Sequence, residues 1–168
     1  NAAERRTIRN AVVWMLGLDQ SFAEFYSLAR REPKLASVVK KSQGRVLRSA
    51  TLFEDVIKTI LTTNTLWAAT KRMSSALVSL YGKPVSKDSS RRTFPTPETL
   101  AGLREKKLRD QARLGYRSPY VLTLAQSVAS NEFDLESLKT SKLSTPELRK
   151  KLQSVKGVGP YSAANLLM

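Results

Sequence analysis

The 168-residue chain has no cysteine and no histidine. Without cysteine there is no disulfide, no thiolate nucleophile and no cysteine-held iron–sulfur cluster within this stretch. Without histidine there is no Ser-His-Asp arrangement, and a zinc site has lost its usual ligands. Any catalysis by these residues has to rest on carboxylates, lysine, tyrosine or hydroxyls. Acids are scarce too, with 14 Asp and Glu against 29 Lys and Arg, a net charge of +15. No apolar run is long enough to span a bilayer, and no signal-peptide pattern opens the chain. The expectation is a soluble, intracellular protein with no membrane partner.

What is present supports a core. With 41% hydrophobic residues, a chain of this length can bury one substantial interior, as one domain or two small helical lobes. Its basic residues recur along the whole sequence instead of sitting in one tail. That is the electrostatic footprint of a nucleic-acid binder. A solvated basic surface, attraction to anionic membranes and a scaffolding role are the blander alternatives.

The apolar spacing predicts an all-α chain of roughly ten helices. Ile8, Val12, Met15 and Leu16 recur at helical spacing until Gly17. Ser21 then reads as a cap for a helix burying Phe22, Phe25, Tyr26 and Ala29, followed by a short helix from Lys34 to Lys41 and an extended link at Arg45–Arg48. Thr51-Leu52-Phe53-Glu54 fits a capping box, which makes Glu54 and Asp55 first-turn acids before they are catalysts. Phe53, Val56, Ile57, Ile60 and Leu61 give this helix a strong buried face. A polar break at Thr62-Thr63-Asn64-Thr65 precedes a helix lined by Leu66, Ala69, Thr70, Met73, Leu77 and Leu80. Residues 83 to 95 read as a solvated loop. Thr96 caps the next segment, Leu103, Leu108 and Leu114 mark a basic helix, and Ser118-Pro119 open another. Thr145-Pro146-Glu147 is read as the cap of the last helix pair.

That last pair organises the rest. Leu148, Leu152 and Val155 share one helix face, Lys156-Gly157-Val158-Gly159 follows, and Pro160 suits the first position of a new helix. Two glycines around one hydrophobe fit a tight hairpin, since glycine tolerates positive φ and admits a second backbone closely. The hairpin N–H groups and the positive helix end would face outward as an anion site. In a chain of this charge the expected anion is a DNA phosphate. A bare G-V-G by itself also caps ordinary helix pairs.

With its flanks, V-K-G-V-G-P-Y-S-A closely resembles the helix-hairpin-helix motif of base-excision DNA glycosylases in the helix-hairpin-helix-GPD superfamily. The resemblance covers most of the chain, from about Val12 onward, as a single core over residues 1–168 with the hairpin motif at 146–168. Thr62-Thr63-Asn64 resembles the S-S-N segment of 8-oxoguanine glycosylases and the S-A-Q segment of endonuclease III-type enzymes, whose Asn or Gln enters the duplex where the damaged base stood. Leu114-Gly115-Tyr116-Arg117, with the nearby Pro119-Tyr120, resembles the L-G-Y-R segment of 8-oxoguanine glycosylases, whose Tyr wedges the stack and whose Arg contacts the base left behind. The 3-methyladenine-glycosylase-like and 8-oxoguanine-glycosylase-like branches are the nearest in pattern. Base flipping supplies the physical reason for the set, because an extruded base needs a plug, a wedge and a grip on the backbone. The resemblance implies a plug and wedge at Asn64, Tyr116 and Arg117. It implies DNA contacts at Lys156, Gly157, Val158, Gly159, Tyr161 and Ser162. Taken singly, Asn64 also reads as a helix cap, Tyr116 as a core-packed aromatic and Arg117 as a surface cation.

Two departures qualify the activity. Lyase-competent relatives carry a Lys two residues after the second hairpin glycine, where it forms a Schiff base with the sugar. Here Tyr161 occupies that position, so the resemblance implies a monofunctional hydrolase. Tyr161 itself either stacks on the flipped base or simply packs. The family's essential Asp lies roughly twenty residues past the hairpin, one helix plus a turn. The last acid here is Glu147, so no catalytic residue is expected in the given chain, and a truncated protein is inferred. Glu54 and Asp55 are poor substitutes. No cofactor is implied beyond a backbone-bound monovalent cation at the hairpin, and no metal site. The expected partner is double-stranded DNA with a damaged base, bound by a monomer in the nucleus of a eukaryote or the nucleoid of a bacterium. A non-catalytic DNA-gripping module is the alternative.

Overall fold

The computed structural model describes residues 1–87 and 90–168. The described residues form ten α-helices and three short 3-10 turns, with one isolated antiparallel bridge, Pro84 to Arg92, as the sole β pairing among them. The all-α expectation holds. None of these helices is long and apolar enough to cross a membrane. The chain separates into two compact units, Asn1–Ala50 and Thr51–Met168.

In the first unit, α1 (Ala2–Leu16) starts on an Asn1–Glu4 capping box and ends at Gly17, whose φ of 58° is left-handed. Its apolar stripe stays largely uncovered, with Ile8, Val12 and Leu16 exposed. The helix α2 (Ala23–Arg31) is entered one residue later than the sequence suggests. Phe22, not Ser21, takes the cap position, and the Ser21 hydroxyl reaches only the Ala23 N–H at 3.4 Å. A 3-10 turn at Pro33–Leu35 leads into α3 (Ala36–Lys40). The extended link that follows is stitched back to α1. Arg45 Nε donates to the Gly17 carbonyl at 3.2 Å, Arg48 N–H to the Met15 carbonyl at 3.0 Å, and Trp14 Nε1 to the Ser49 carbonyl at 3.0 Å.

The second unit is built on α4 (Leu52–Leu61), where Leu52, Phe53, Val56, Ile57, Ile60 and Leu61 are all buried. Each fully buried side chain of this size contributes about 1.5–3 kcal/mol relative to exposure, so this helix is the largest local source of stability. Its capping box is only half formed. Thr51 accepts from the Glu54 N–H at 3.2 Å, but the Glu54 carboxylate turns away to Lys58 Nζ at 2.5 Å. A distant acid satisfies a different first-turn donor, because Glu136 Oε1 accepts from the Phe53 N–H at 2.9 Å.

Around α4 pack α5 (Trp67–Tyr81), α8 (Ser118–Ala129) and α10 (Pro160–Leu166), with α6 (Pro97–Ala101) and α7 (Glu105–Asp110) against α8 and α9 (Thr145–Gln153) against α10. On α5 the inward face is Thr70, Met73 and Leu77; Leu66, expected to line it, is 80% exposed. The Thr70 hydroxyl is satisfied by the Leu61 carbonyl at 3.2 Å. The loop read as solvated is tied at its base, with Thr93 N–H on the Lys83 carbonyl at 2.9 Å and Val85 N–H on the Arg91 carbonyl at 3.0 Å. Its residues Asp88 and Ser89 lie outside the described residues.

At the start of α9 the cap is Ser144, one residue before the expected Thr145. The Glu147 carboxylate accepts from the Ser144 N–H at 2.8 Å and hydroxyl at 2.6 Å, and the hydroxyl first, then the N–H, hold its pKa below the ordinary carboxylate value. A depressed folded pKa gives stability that is present above the unfolded value and lost as pH falls through the folded one. The first turn of α9 should therefore fray on the acid side of the carboxylate range, with the amides of Glu147 and Leu148 losing protection against exchange there. Glu147→Gln should flatten that pH dependence; an unaltered profile would show that the box does not set it.

Candidate nucleic-acid interface

The hairpin between α9 and α10 is anchored from below. Val155 and Val158 are buried, and the Val158 N–H is spent on the Val155 carbonyl at 3.0 Å. The Val158 side chain is therefore the hairpin's anchor, while the residue, expected among the binding residues, still borders the cleft with its backbone. Ser162, also expected among the binding residues, is buried in α10 on the side of the core. What remains facing outward is the exposed Lys156 and the N–H groups of Gly157 and Gly159, which meet no acceptor among the described residues.

The two glycines differ in what they permit. Gly157 sits at φ 91°, and a Cβ there would lie 2.9 Å from the Tyr120 ring and 3.4 Å from Ile60. Gly159 is extended, at φ −86° and ψ −177°, and a Cβ there would meet nothing within 4 Å. Gly157 is thus required by the fold. Gly159 leaves open space next to a free N–H, where an outside backbone can approach.

The polar break after α4 comes to the same place. Asn64 is exposed and left-handed at φ 43°, a region where Asn is several-fold enriched among non-glycine residues. It is not a helix cap, because the cap position of α5 is Leu66. Tyr116, 45% exposed, stands edge-on to Tyr120 with ring centroids 6.2 Å apart, and its hydroxyl lies 3.2 Å from both the Thr63 carbonyl and the Thr63 hydroxyl. A cleft of about 440 Å³ is lined by Thr63, Asn64, Tyr116 and Tyr120 together with the whole hairpin, Lys156 to Gly159. Residues far apart in sequence, singled out for one task, share one concavity.

Arg117 departs from the expectation of a projecting side chain. It is 7% exposed. Its Nη2 donates to the Thr63 carbonyl and, at 3.4 Å, to the Asn64 carbonyl, and its guanidinium carbon lies 4.5 Å from the centre of the Tyr116 ring. Tyr161 is outward and 79% exposed. Sequence reasoning passed over Thr63 as a receptor for Tyr116 and Arg117, which no local pattern signals. It noted Tyr120 beside the L-G-Y-R segment but gave it no role, although the i, i+4 spacing from Tyr116 places both rings on one side. Glu54 and Asp55 do not line the cleft; Asp55 instead borders a separate groove with Lys58, Trp67 and Lys71.

The glycine geometry separates two substitutions. Gly157→Ala should destabilise the fold by roughly 1 kcal/mol or more through left-handed strain. Gly159→Ala should leave the melting temperature unchanged and weaken duplex DNA binding. Equal effects of the two on melting would show that the hairpin is not seated as described.

A model of the HhH-GPD superfamily of base excision DNA repair proteins matches residues 57–163, more than half of the chain. A DNA-3-methyladenine glycosylase of Bacillus subtilis is 28% identical over 153 residues, which is 90% of this chain and 50% of that protein. Among solved structures, 3-methyladenine DNA-glycosylase from Archaeoglobus fulgidus superposes with a TM-score of 0.77 at 25% identity, over 99% of this chain and 56% of that one. MBOgg1 in complex with a low-affinity DNA ligand gives 0.76 at 28% identity, over 91% and 52%. The chain spans about half the length of the curated relatives it matches. With the hairpin, the Asn64 turn and the Tyr116 loop in place, the chain belongs to the helix-hairpin-helix-GPD superfamily of base excision DNA repair proteins.

Proposed function

We propose that the whole protein is a DNA glycosylase that acts as a monomer on duplex DNA, extrudes a damaged base and hydrolyses its N-glycosidic bond without cutting the strand. The observation that carries this reading is the shared cleft, in which the hairpin, Asn64 and Tyr116 face one space. Lys156 and the N–H groups of Gly157 and Gly159 grip a phosphate. Asn64 fills the vacated place in the stack and Tyr116 wedges beside it. Tyr161, at the lyase-lysine position, offers an exposed ring for the flipped base and has no amine for an imine. Alkylated purines and 8-oxoguanine are the lesion classes proposed, in the cell's DNA compartment, nuclear or nucleoid.

The bond-breaking step needs negative charge near the sugar as the base leaves, and no carboxylate lines the cleft. We place that role on an Asp one helix and a turn beyond the hairpin, outside these 168 residues. The empty carboxylate role is also what favours the second reading, a module that grips DNA and performs no chemistry. The hairpin suits a hard monovalent cation, because the carbonyls of Lys156, Gly157 and Val158 accept no hydrogen bond among the described residues, and such ions take oxygen ligands. Held there, the ion would add positive charge beside the phosphate.

Duplexes carrying 3-methyladenine or 8-oxoguanine, incubated with the full protein, should yield free base and an intact, alkali-labile strand, with no adduct trapped by borohydride. Residues 1–168 alone should bind and release nothing. Excision by this stretch alone would refute the assignment of the chemistry, and a trapped adduct would point to an amine such as Lys156. Affinity should also fall with salt, with a log–log slope of about −0.9 per neutralised phosphate; a flat dependence would remove phosphate grip from the account.

A further inference from the structure

Arg117 is buried without an acid. Among the described residues its guanidinium forms no ion pair, and its Nε has no hydrogen-bond partner. A buried charge of this kind is a poor stabilising device, because its desolvation is offset only by carbonyls and a ring face. Its two acceptors are informative. The Thr63 carbonyl belongs to the peptide unit whose rotation is φ of Asn64, and the Asn64 carbonyl belongs to the unit whose rotation is ψ of Asn64. One guanidinium therefore holds the peptide groups on both sides of a residue at φ 43°. Tyr116 adds a second donor to the same Thr63 oxygen at 3.2 Å and stacks under the guanidinium. The Thr63 hydroxyl fastens the turn to the end of α4 by donating to the Ile60 carbonyl at 2.8 Å.

We propose that Arg117 is a positioning residue that sets the backbone conformation of Asn64 before any duplex is met, and that it acts on opened DNA through Asn64, not by touching a base. The inference rests on the reading of Asn64 as the group that fills the stack. Reaching a base edge would require Arg117 to leave both carbonyls and the Tyr116 ring. Lysine does not replace it, since one Nη2 meets both carbonyls while the planar guanidinium lies on the Tyr116 ring, and an ammonium on a shorter stem has no planar face to stack as it donates.

The test uses the full protein and its Arg117→Lys variant. In the free proteins, the ¹⁵N order parameters of Asn64 and Thr65 should fall from roughly 0.85 to below roughly 0.6 while those of α8 stay unchanged. With duplexes carrying a tetrahydrofuran abasic analogue, the preference over undamaged duplex should drop about tenfold, within the range for residues sharing one network. The drop should be the same opposite each of the four bases and absent when Arg117→Lys is added to Asn64→Ala. A loss confined to one opposite base, a loss that persists in the Asn64→Ala background, or a turn that stays rigid would overturn the proposal. Should wild type show no preference for the abasic duplex, the glycosylase reading fails, and the order parameters decide on the clamp alone. If Arg117→Lys does not fold, Tyr116→Phe removes the other donor on the Thr63 oxygen from a half-exposed position; a more mobile turn supports the clamp and an unchanged one refutes it.

Discussion

Burial of the apolar face of α4 is the constraint from which the cleft follows. A helix with six buried side chains in ten residues has one orientation available, and both of its ends are then fixed in space. At its start the Phe53 N–H is held by Glu136 from a segment more than eighty residues away. At its end the chain emerges as Thr62-Thr63-Asn64, and the last buried turn supports the hairpin, since Ile60 lies against the place where Gly157 lacks a Cβ. The Asn64 turn and the hairpin are thus two attachments to one buried helix. Their separation is set by core packing and not by loop length.

This explains which features could be read from the sequence. Periodicity located α4, α5 and the helix pair of the hairpin, because a single-sided apolar stripe is a local record of a buried face. Capping was legible to within one residue. Ser144 and Thr145 both precede Pro146 and an acid, but only Ser144 stands three residues before Glu147, the spacing a reciprocal box requires. The two hairpin glycines look alike in sequence and differ in structure, because what demands glycine at 157 is the Tyr120 ring behind it. Arg117 was legible as a site residue only through the L-G-Y-R resemblance, and its burial was not legible at all. A cation in a polar loop reads as exposed, and its burial depends on carbonyls some fifty residues earlier.

The chemistry of the cleft wall has a physical logic. Its lining offers free N–H groups, a lysine, hydroxyls and amide oxygen, with no carboxylate. Two unit negative charges held about 4 Å apart at an effective dielectric near 20 repel by about 4 kcal/mol. On the proposed reading, an acid placed beside the hairpin would therefore cancel much of what a phosphate gains there. On the same reading, keeping the hairpin apart from any charge-stabilising acid lets each act at its own end of the nucleotide, with backbone N–H groups adding to Lys156 at the phosphate.

Rigidity at the Asn64 turn completes the same argument. Ordering a flexible residue costs about 1–2 kcal/mol of backbone entropy, and a plug that became ordered only on meeting an opened stack would subtract that cost from binding, on top of the unstacking of the base. In this protein the ordering is done during folding. Asn64 is held left-handed by donors on both flanking carbonyls, at the expense of a guanidinium buried without a counter-charge. The cost of the unpaired cation is carried by the large apolar face of α4 beneath it. On the proposed reading, folding stability is in this way converted into a preformed side chain, and the free energy of DNA contact remains available for opening the duplex.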